Sequence, residues 1–311
     1  MTGPATPAGD RGTSATSTTA GQDGTFRYVI GYNGDKRSKD ALRLGIALAK
    51  AFNAELEIVC ILRSDEPYLP VYPPVGDVTP MLRRQANNWL HEALDTVPDD
   101  VVARGHVRTS LSVAAGLLAA VAEFEATLVV VGAASGKYTA KFSVGPVTDA
   151  LLHRAGVPVA LAPRGYKGVT AIKRLYAGIG MRPGAHRIMR EAREAAYRSG
   201  LELDLVSFLP LDHVQGEATE AIAQVERNLQ SSAKEIGEHV PVSVQVVRGK
   251  TLKKAVAEMD WQPDAVLLVG SSRLAGERQI FLGTTTSRIL RHLPIPMIVL
   301  PLGTSEKETE S

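Results

Sequence analysis

Two stretches decide how this chain is read: Leu128-Val129-Val130-Val131-Gly132 and Val266-Leu267-Leu268-Val269-Gly270. Each is an apolar run that ends on glycine, and each is followed thirteen positions later by another glycine, Gly145 and Gly283. Both then pass through a short helical stretch into a proline-marked run, VPVALAP at 157–163 and IPMIVLP at 295–301. The two passages stay 138 positions apart, without a gap, from Gly132/Gly270 to Pro163/Pro301. A register kept over that length identifies a tandem duplication.

Outward from these anchors, each copy alternates strands and helices. In the first, Tyr28–Tyr32, Leu56–Leu62, His106–Val113 and Leu128–Val131 read as strands. Ala41, Leu44, Gly45, Leu48 and Phe52 share one helical face, as do Leu82, Ala86, Trp89, Leu90, Ala93 and Val97. In the second, Leu175–Ile179, Leu201–Phe208 and the alternating Val242, Val244 and Val246 read as strands. Its helices are marked by Ile188, Met189, Ala192, Ala196 and Ser199, with Gly200 where a C-cap belongs; by Ile222, Val225, Leu229 and Ile236; and by Leu252, Ala255, Val256 and Met259. Pro158 and Pro296 stand at the first residues of the last strands, where a missing N–H is tolerated. The pattern predicts an α/β fold: two tandem, doubly wound five-stranded parallel-sheet sandwiches. The expected organisation is a disordered tail over 1–25, one domain over 26–164, a linker over 165–172, a second domain over 173–302 and a charged tail over 303–311. Duplication further predicts a pseudo-two-fold pairing of the copies within the chain.

Composition narrows the function. The 311 residues carry 35 basic and 33 acidic side chains, a net charge of +2, which argues against general affinity for nucleic acid or anionic membrane. No run of 18 apolar residues and no signal-peptide h-region is present, and Cys60 is the only cysteine, so a cytoplasmic setting is expected. Cys60 lies in an apolar strand and reads as an inert buried thiol. The seven histidines show no metal spacing; His153 and His292 fall in late helices and read as surface or cap residues. YLPVYPPVG at 68–76 reads as a structured loop that only the first copy has.

In an open α/β sheet, ligands bind beyond the carboxyl ends of the strands, at the point where strand order reverses. The loop after the fourth strand lies there in each copy. Gly283-Thr284-Thr285-Thr286 would present backbone amides and hydroxyls at a helix N-terminus, a setting for phosphate or for a plain cap. Other motifs fail: GAASGK at 132–137 is one residue short of a Walker A loop and continues into Tyr138, and GKT at 249–251 has Val244 where the upstream glycine belongs. Ser135 is in no G-x-S-x-G elbow. Lys137 and Lys141 read as solvated loop lysines.

With these residues in view, the chain resembles a tandem universal stress protein over about residues 26–164 and 171–302. Nucleotide-binding members of that family carry a Gly, two residues, a Gly, nine residues, then Gly-Ser or Gly-Thr, and an Asp at the end of the first strand. The resemblance implies an adenine-nucleotide alpha-hydrolase-like fold, ATP or a related adenine nucleotide as ligand, frequent dimerisation and a regulatory, non-catalytic role in stress response. Carried onto this sequence, the nucleotide-binding positions are Asn33, Gly132, Ser135 and Gly145 in the first copy, and Gly270, Arg273, Gly283, Thr284 and Thr285 in the second. Several depart from the pattern. Ser135 and Arg273 replace the second Gly, Asn33 and Gly180 replace the Asp, and Pro146 stands where Ser or Thr belongs. One lost hydrogen bond to a phosphate costs about 1.5–3 kcal/mol, roughly one to two decades of affinity. The first copy thus has the better adenosine end and the second the better phosphate end. The competing expectation is a nucleotide-free scaffold acting through protein contacts. A slow ATPase has least support, because no general base stands beside the phosphate position.

Overall fold

The computed structural model describes residues 25–64, 79–133, 145–180, 185–210, parts of 223–234, 240–271 and 284–301. The two tails, the 68–76 loop, Ser135, Lys137, Lys141, Ile222, Val225, Ile236, Arg273 and Gly283 lie outside these residues.

The first copy runs β1 (Phe26–Gly31), α1 (Lys36–Phe52), β2 (Ala54–Arg63), α2 (Thr79–Leu94), β3 (Ala103–Ser110), α3 (Val113–Glu123), β4 (Leu128–Gly132), α4 (Pro146–Arg154) and β5 (Val159–Ala162). The second runs β6 (Arg174–Gly178), α5 (Ala185–Ser199), β7 (Glu202–Pro210), β8 (Val242–Gly249), α6 (Leu252–Glu258), β9 (Ala265–Gly270), α7 (Thr284–Leu290) and β10 (Met297–Leu300). Within each copy every strand pair is parallel. The two sheets then join edge to edge through β5 and β10, which pair antiparallel, to give one ten-stranded sheet in the order β3-β2-β1-β4-β5-β10-β9-β6-β7-β8. This junction is the intramolecular pairing of the copies.

Side-chain alternation sends each strand's apolar residues to both faces. Tyr28 and Ile30 join a core with Leu44 and Leu48 of α1, Leu90 of α2 and Ala192 of α5. Val29 and Val129 join the opposite core with Leu117 of α3, Leu152 of α4, Val256 of α6 and Leu290 of α7. Each core runs through both copies, so neither half is packed independently of the other.

Several local boundaries correct the sequence reading. The third strand ends at Ser110, and Val113 is the first residue of α3, because the Ser112 side chain accepts from the Ala115 N–H and starts the helix there. Pro158 and Pro296 stand one residue before β5 and β10; their carbonyls accept from the Val129 and Leu267 amides, and this tethers the strand entrances. His292 lies in the turn after α7, where its N–H donates to the Ile289 carbonyl. Gly200 closes α5 in the left-handed region, at φ +68, and donates to Ala196. Cys60 is buried, and burial raises its thiol above the ordinary value.

The segment expected as a linker, 165–172, sends two of its residues into the core. Tyr166 and Ile172 are 9% and 1% exposed. The Gly165 amide donates to the buried Asp40 carboxylate at 2.7 Å, and the Ile172 amide to the Ala47 carbonyl at 3.2 Å, so the connection is held against α1.

Candidate functional site

Strand order reverses between β1 and β4 in the first copy and between β6 and β9 in the second. These are the two crevices where a ligand would meet strand ends. In the first, the structure brings together Asn33, just beyond β1, and Gly132, the last residue of the neighbouring β4. Asn33 is exposed, and its Oδ1 accepts from the Asp35 amide at 3.3 Å. Asp35 caps α1 by accepting from the Ser38 amide at 2.7 Å. Burial opposes ionisation of that carboxyl, yet the Ser38 amide and the Arg37 guanidinium outweigh it and hold its pKa below the ordinary range. Gly34, at φ +76, lies against the Trp89 indole, which a Cβ would meet at 2.7 Å.

Gly132 has a packing reason for being glycine. A Cβ there would stand 2.2 Å from the Arg37 carbonyl oxygen and 2.7 Å from its carbon. The first turn of α1 therefore rests directly on the end of β4. Gly145 is the N-cap of α4 in extended conformation, offers no side-chain cap, and is followed by Pro146. Pro146 removes one free amide, and Asp149 already places a carboxylate in the helix's first turn, where an anion would otherwise gain from the dipole.

In the second copy Gly270 ends β9 beside β10, and Thr284 and Thr285 open α7. The first turn of α7 carries no acidic residue, and Ser287 stands where the first copy has Asp149. A Cβ on Gly180, beyond β6, would meet nothing within 4 Å among the described residues. With Ser135, Arg273 and Gly283 outside the described residues, the structure locates the ends of both loops. Sequence reasoning missed Asp35, although an Asp just ahead of an apolar-periodic run signals a helix start.

A separate cleft of about 700 Å³ opens between α1, α2 and residues 167–170, lined by Tyr32, Lys39, Arg43, Glu92 and Lys167. Burial, with Glu92, raises the Tyr32 phenol above its ordinary value. Among the described residues no lining residue comes from β4 or α4, which sets this cleft apart from the switch-point crevice. Among the described residues no cluster of His, Cys, Asp and Glu could hold a metal ion, and no helix is long and apolar enough to cross a membrane.

The universal stress protein family model matches residues 26–163 and again 171–301. The chain belongs to the universal stress protein family. It carries two tandem copies of that family's domain, and membership supports a role in stress response. Universal stress proteins of Mycobacterium tuberculosis and Mycobacterium bovis are each 29% identical to it over 288 residues, 88% of this chain and 99% of theirs. The fold is shared with a solved universal stress protein of Archaeoglobus fulgidus, at TM-score 0.65 and 18% identity over 89% of this chain and 96% of that one. A Pseudomonas aeruginosa structure described as a putative universal stress protein matches at TM-score 0.56 and 16% identity, over 89% and 93%.

Proposed function

We propose that the chain is a stress-response binding module, acting in the cytoplasm, whose second copy takes up ATP or a related adenine nucleotide and senses it without turning it over. The observation that carries this reading is the start of α7. Thr284-Thr285-Thr286-Ser287 stand there, in place of Pro146-Val147-Thr148-Asp149 at the start of α4. The second copy thus keeps the amide and hydroxyls that the first has given up, and it lacks the competing carboxylate. Among the described residues none would lie within 4 Å of a Cβ on Gly180, beside the end of β6. Homodimers of the chain would add a second level of pairing.

The test is twofold. Purified protein is denatured and its released small molecules are identified by chromatography and mass spectrometry, and thermal unfolding is followed with millimolar ATP. The expected result is a released adenine nucleotide or a raised midpoint; ligand at a hundredfold excess over Kd adds about 2.7 kcal/mol. Gly283→Trp should abolish either effect. Absence of both in the unaltered protein would overturn the nucleotide reading.

A second reading, a nucleotide-free scaffold, is favoured in the first copy by Pro146, Asp149 and the close packing of Gly132 on Arg37. The two readings divide between the copies. Binding stoichiometry separates them, because one nucleotide per chain is expected and two would remove the scaffold assignment.

A further inference from the structure

The connection between the copies is fastened to α1 at two points, and the residues between them form one wall of the cleft of about 700 Å³. The Gly165 amide donates to Asp40 at 2.7 Å, and the Ile172 amide to the Ala47 carbonyl at 3.2 Å. Between these anchors Gly168, at φ +80, lies on the Arg43 stem, which a Cβ would meet at 3.3 Å. Lys167, Val169 and Thr170 line the cleft from this segment, Lys39 and Arg43 from α1, and Glu92 from α2.

The charges in the cleft are unevenly matched. Lys39 and Arg43 stand one helical turn apart and share a face of α1. Arg43 is already engaged, donating to Asp40 at 3.0 Å and to the Tyr166 carbonyl at 3.4 Å. The ammonium groups of Lys39 and Lys167, by contrast, make no ion pair or hydrogen bond among the described residues, and neither does the carboxylate of Glu92, the one acid in the lining. Two unpaired cations therefore face one unpaired anion. Tyr32 adds a neutral donor. It is 4% exposed, yet its phenol has no hydrogen-bond partner among the described residues. Glu92 and Arg43 both act on that phenol, which places it among the charges of the cleft. A nearly buried hydroxyl of this kind is satisfied by an oxygen brought into the space it faces.

These groups define a ligand with two ends. A phosphate monoester carries about −1.5 to −2 charge near neutral pH and can meet both ammonium groups. A triphosphate would bring more charge than they match and would be repelled by Glu92. Hydroxyls on the ligand body can donate to Glu92 and accept from Tyr32. We propose a second binding site, between α1, α2 and the connection, for a phosphorylated polyol of about hexose size: the phosphate meets Lys39 and Lys167, and the hydroxyls meet Tyr32 and Glu92. The site does not rest on the nucleotide reading and uses none of its residues.

The test is isothermal titration of the full chain with glucose 6-phosphate and, separately, with glucose and with inorganic phosphate. Glucose 6-phosphate should bind once per chain and more tightly than either control. Lys39→Gln and Lys167→Gln, both at exposed positions, should each weaken it about fivefold. Tyr32→Phe keeps the ring, removes only the hydroxyl, and should also weaken it about fivefold. Thr170→Trp, at an exposed position of the lining, should obstruct the cleft and abolish binding while circular dichroism shows the native fold. Gly283→Trp should leave binding unchanged. Absence of glucose 6-phosphate binding to the unaltered chain overturns the site, as does binding that survives a folded Thr170→Trp variant or is lost in Gly283→Trp. Glucose binding as tightly as its phosphate, or normal binding by both lysine variants, overturns the phosphate assignment. Inorganic phosphate binding as tightly as the sugar phosphate, or normal binding by Tyr32→Phe, overturns the polyol assignment.

Discussion

Replacement of Gly132 by alanine tests whether the glycine that ends β4 serves the sheet or a ligand. The added Cβ would lie 2.2 Å from the Arg37 carbonyl oxygen and 2.7 Å from its carbon, both backbone atoms. No side-chain rotation relieves such a contact, so either α1 must withdraw from β4 or the strand end must move. Forced shifts of this kind cost about 1–3 kcal/mol, and contact with backbone sets this case in the upper half of that range. For a protein of 311 residues about 2 kcal/mol lowers the thermal midpoint by roughly 3 °C. The assay is thermal and urea unfolding of nucleotide-free protein, where the urea midpoint should fall without a change in m. Arg37→Ala should not rescue the variant, because it leaves the offending carbonyl in place. Gly180→Ala supplies the contrast, with nothing among the described residues within 4 Å of its Cβ, and should change stability by less than about 1 kcal/mol. A Gly132→Ala protein with an unaltered midpoint in the absence of nucleotide would refute the packing argument and return Gly132 to a ligand-facing role.

Three further outcomes are expected. Gly180→Asp, which places a carboxylate where the nucleotide-binding pattern has one and where no described residue stands within 4 Å of the Cβ, should tighten ATP binding about tenfold by titration calorimetry; unchanged affinity would remove Gly180 from the site. The Asp35 carboxyl is held below its ordinary pKa, so its cap contributes fully above about pH 4 and is lost as pH falls through the lowered folded value; Asp35→Asn should flatten that acid limb of the stability curve by about 1 kcal/mol. Arg174→Met strips the 1%-exposed Asp204 of its charge partner at 2.7 Å and should cost about 3 kcal/mol by urea unfolding, most of it restored when Asp204→Leu is added.

The fold was legible wherever pattern and packing coincide. Leu128–Gly132 and Ala265–Gly270 are apolar, short and closed by glycine, and no helix of useful length fits them. The α1 face was equally plain, because Ala41, Leu44 and Leu48 recur at helical spacing and all three are fully buried. The 165–172 segment reads as a solvated connection from its glycines and lysine, and the two residues that anchor it in the core, Tyr166 and Ile172, were not legible in it. Single anchors leave no periodicity to detect. At the candidate site the sequence revealed the glycine spacing but not its cause. That Gly132 faces a carbonyl of α1 is a tertiary contact across 95 positions, visible only once α1 is laid on β4.

The duplication supplies an internal control on which residues speak about ligand. Register places Glu57 and Asp204 at one position, since Val29 pairs with both Glu57 and Val129, and Tyr176 with both Asp204 and Leu267. Both acids are buried, at 3% and 1% exposure, and a buried carboxylate persists only when partnered. The first copy answers from its edge strand, with Arg104 at 3.1 Å and His106 at 2.6 Å; the second answers with Arg174 from β6 and Ser243 from β8. The architecture poses the same demand twice, and the partners that meet it differ. Glycine at the end of β4 belongs to this class of demand, because the helix rests on it whether or not a ligand is bound. A match to the glycine spacing alone therefore reports the turn. Information about ligand resides in positions the sheet does not need, where the copies are free to differ: Pro146 against Thr284, Asp149 against Ser287, Asn33 against Gly180. At the two phosphate-end positions the difference favours the second copy, and at the third it favours the first. A nucleotide held by the second copy would then be gripped by its phosphates more firmly than by its nucleoside.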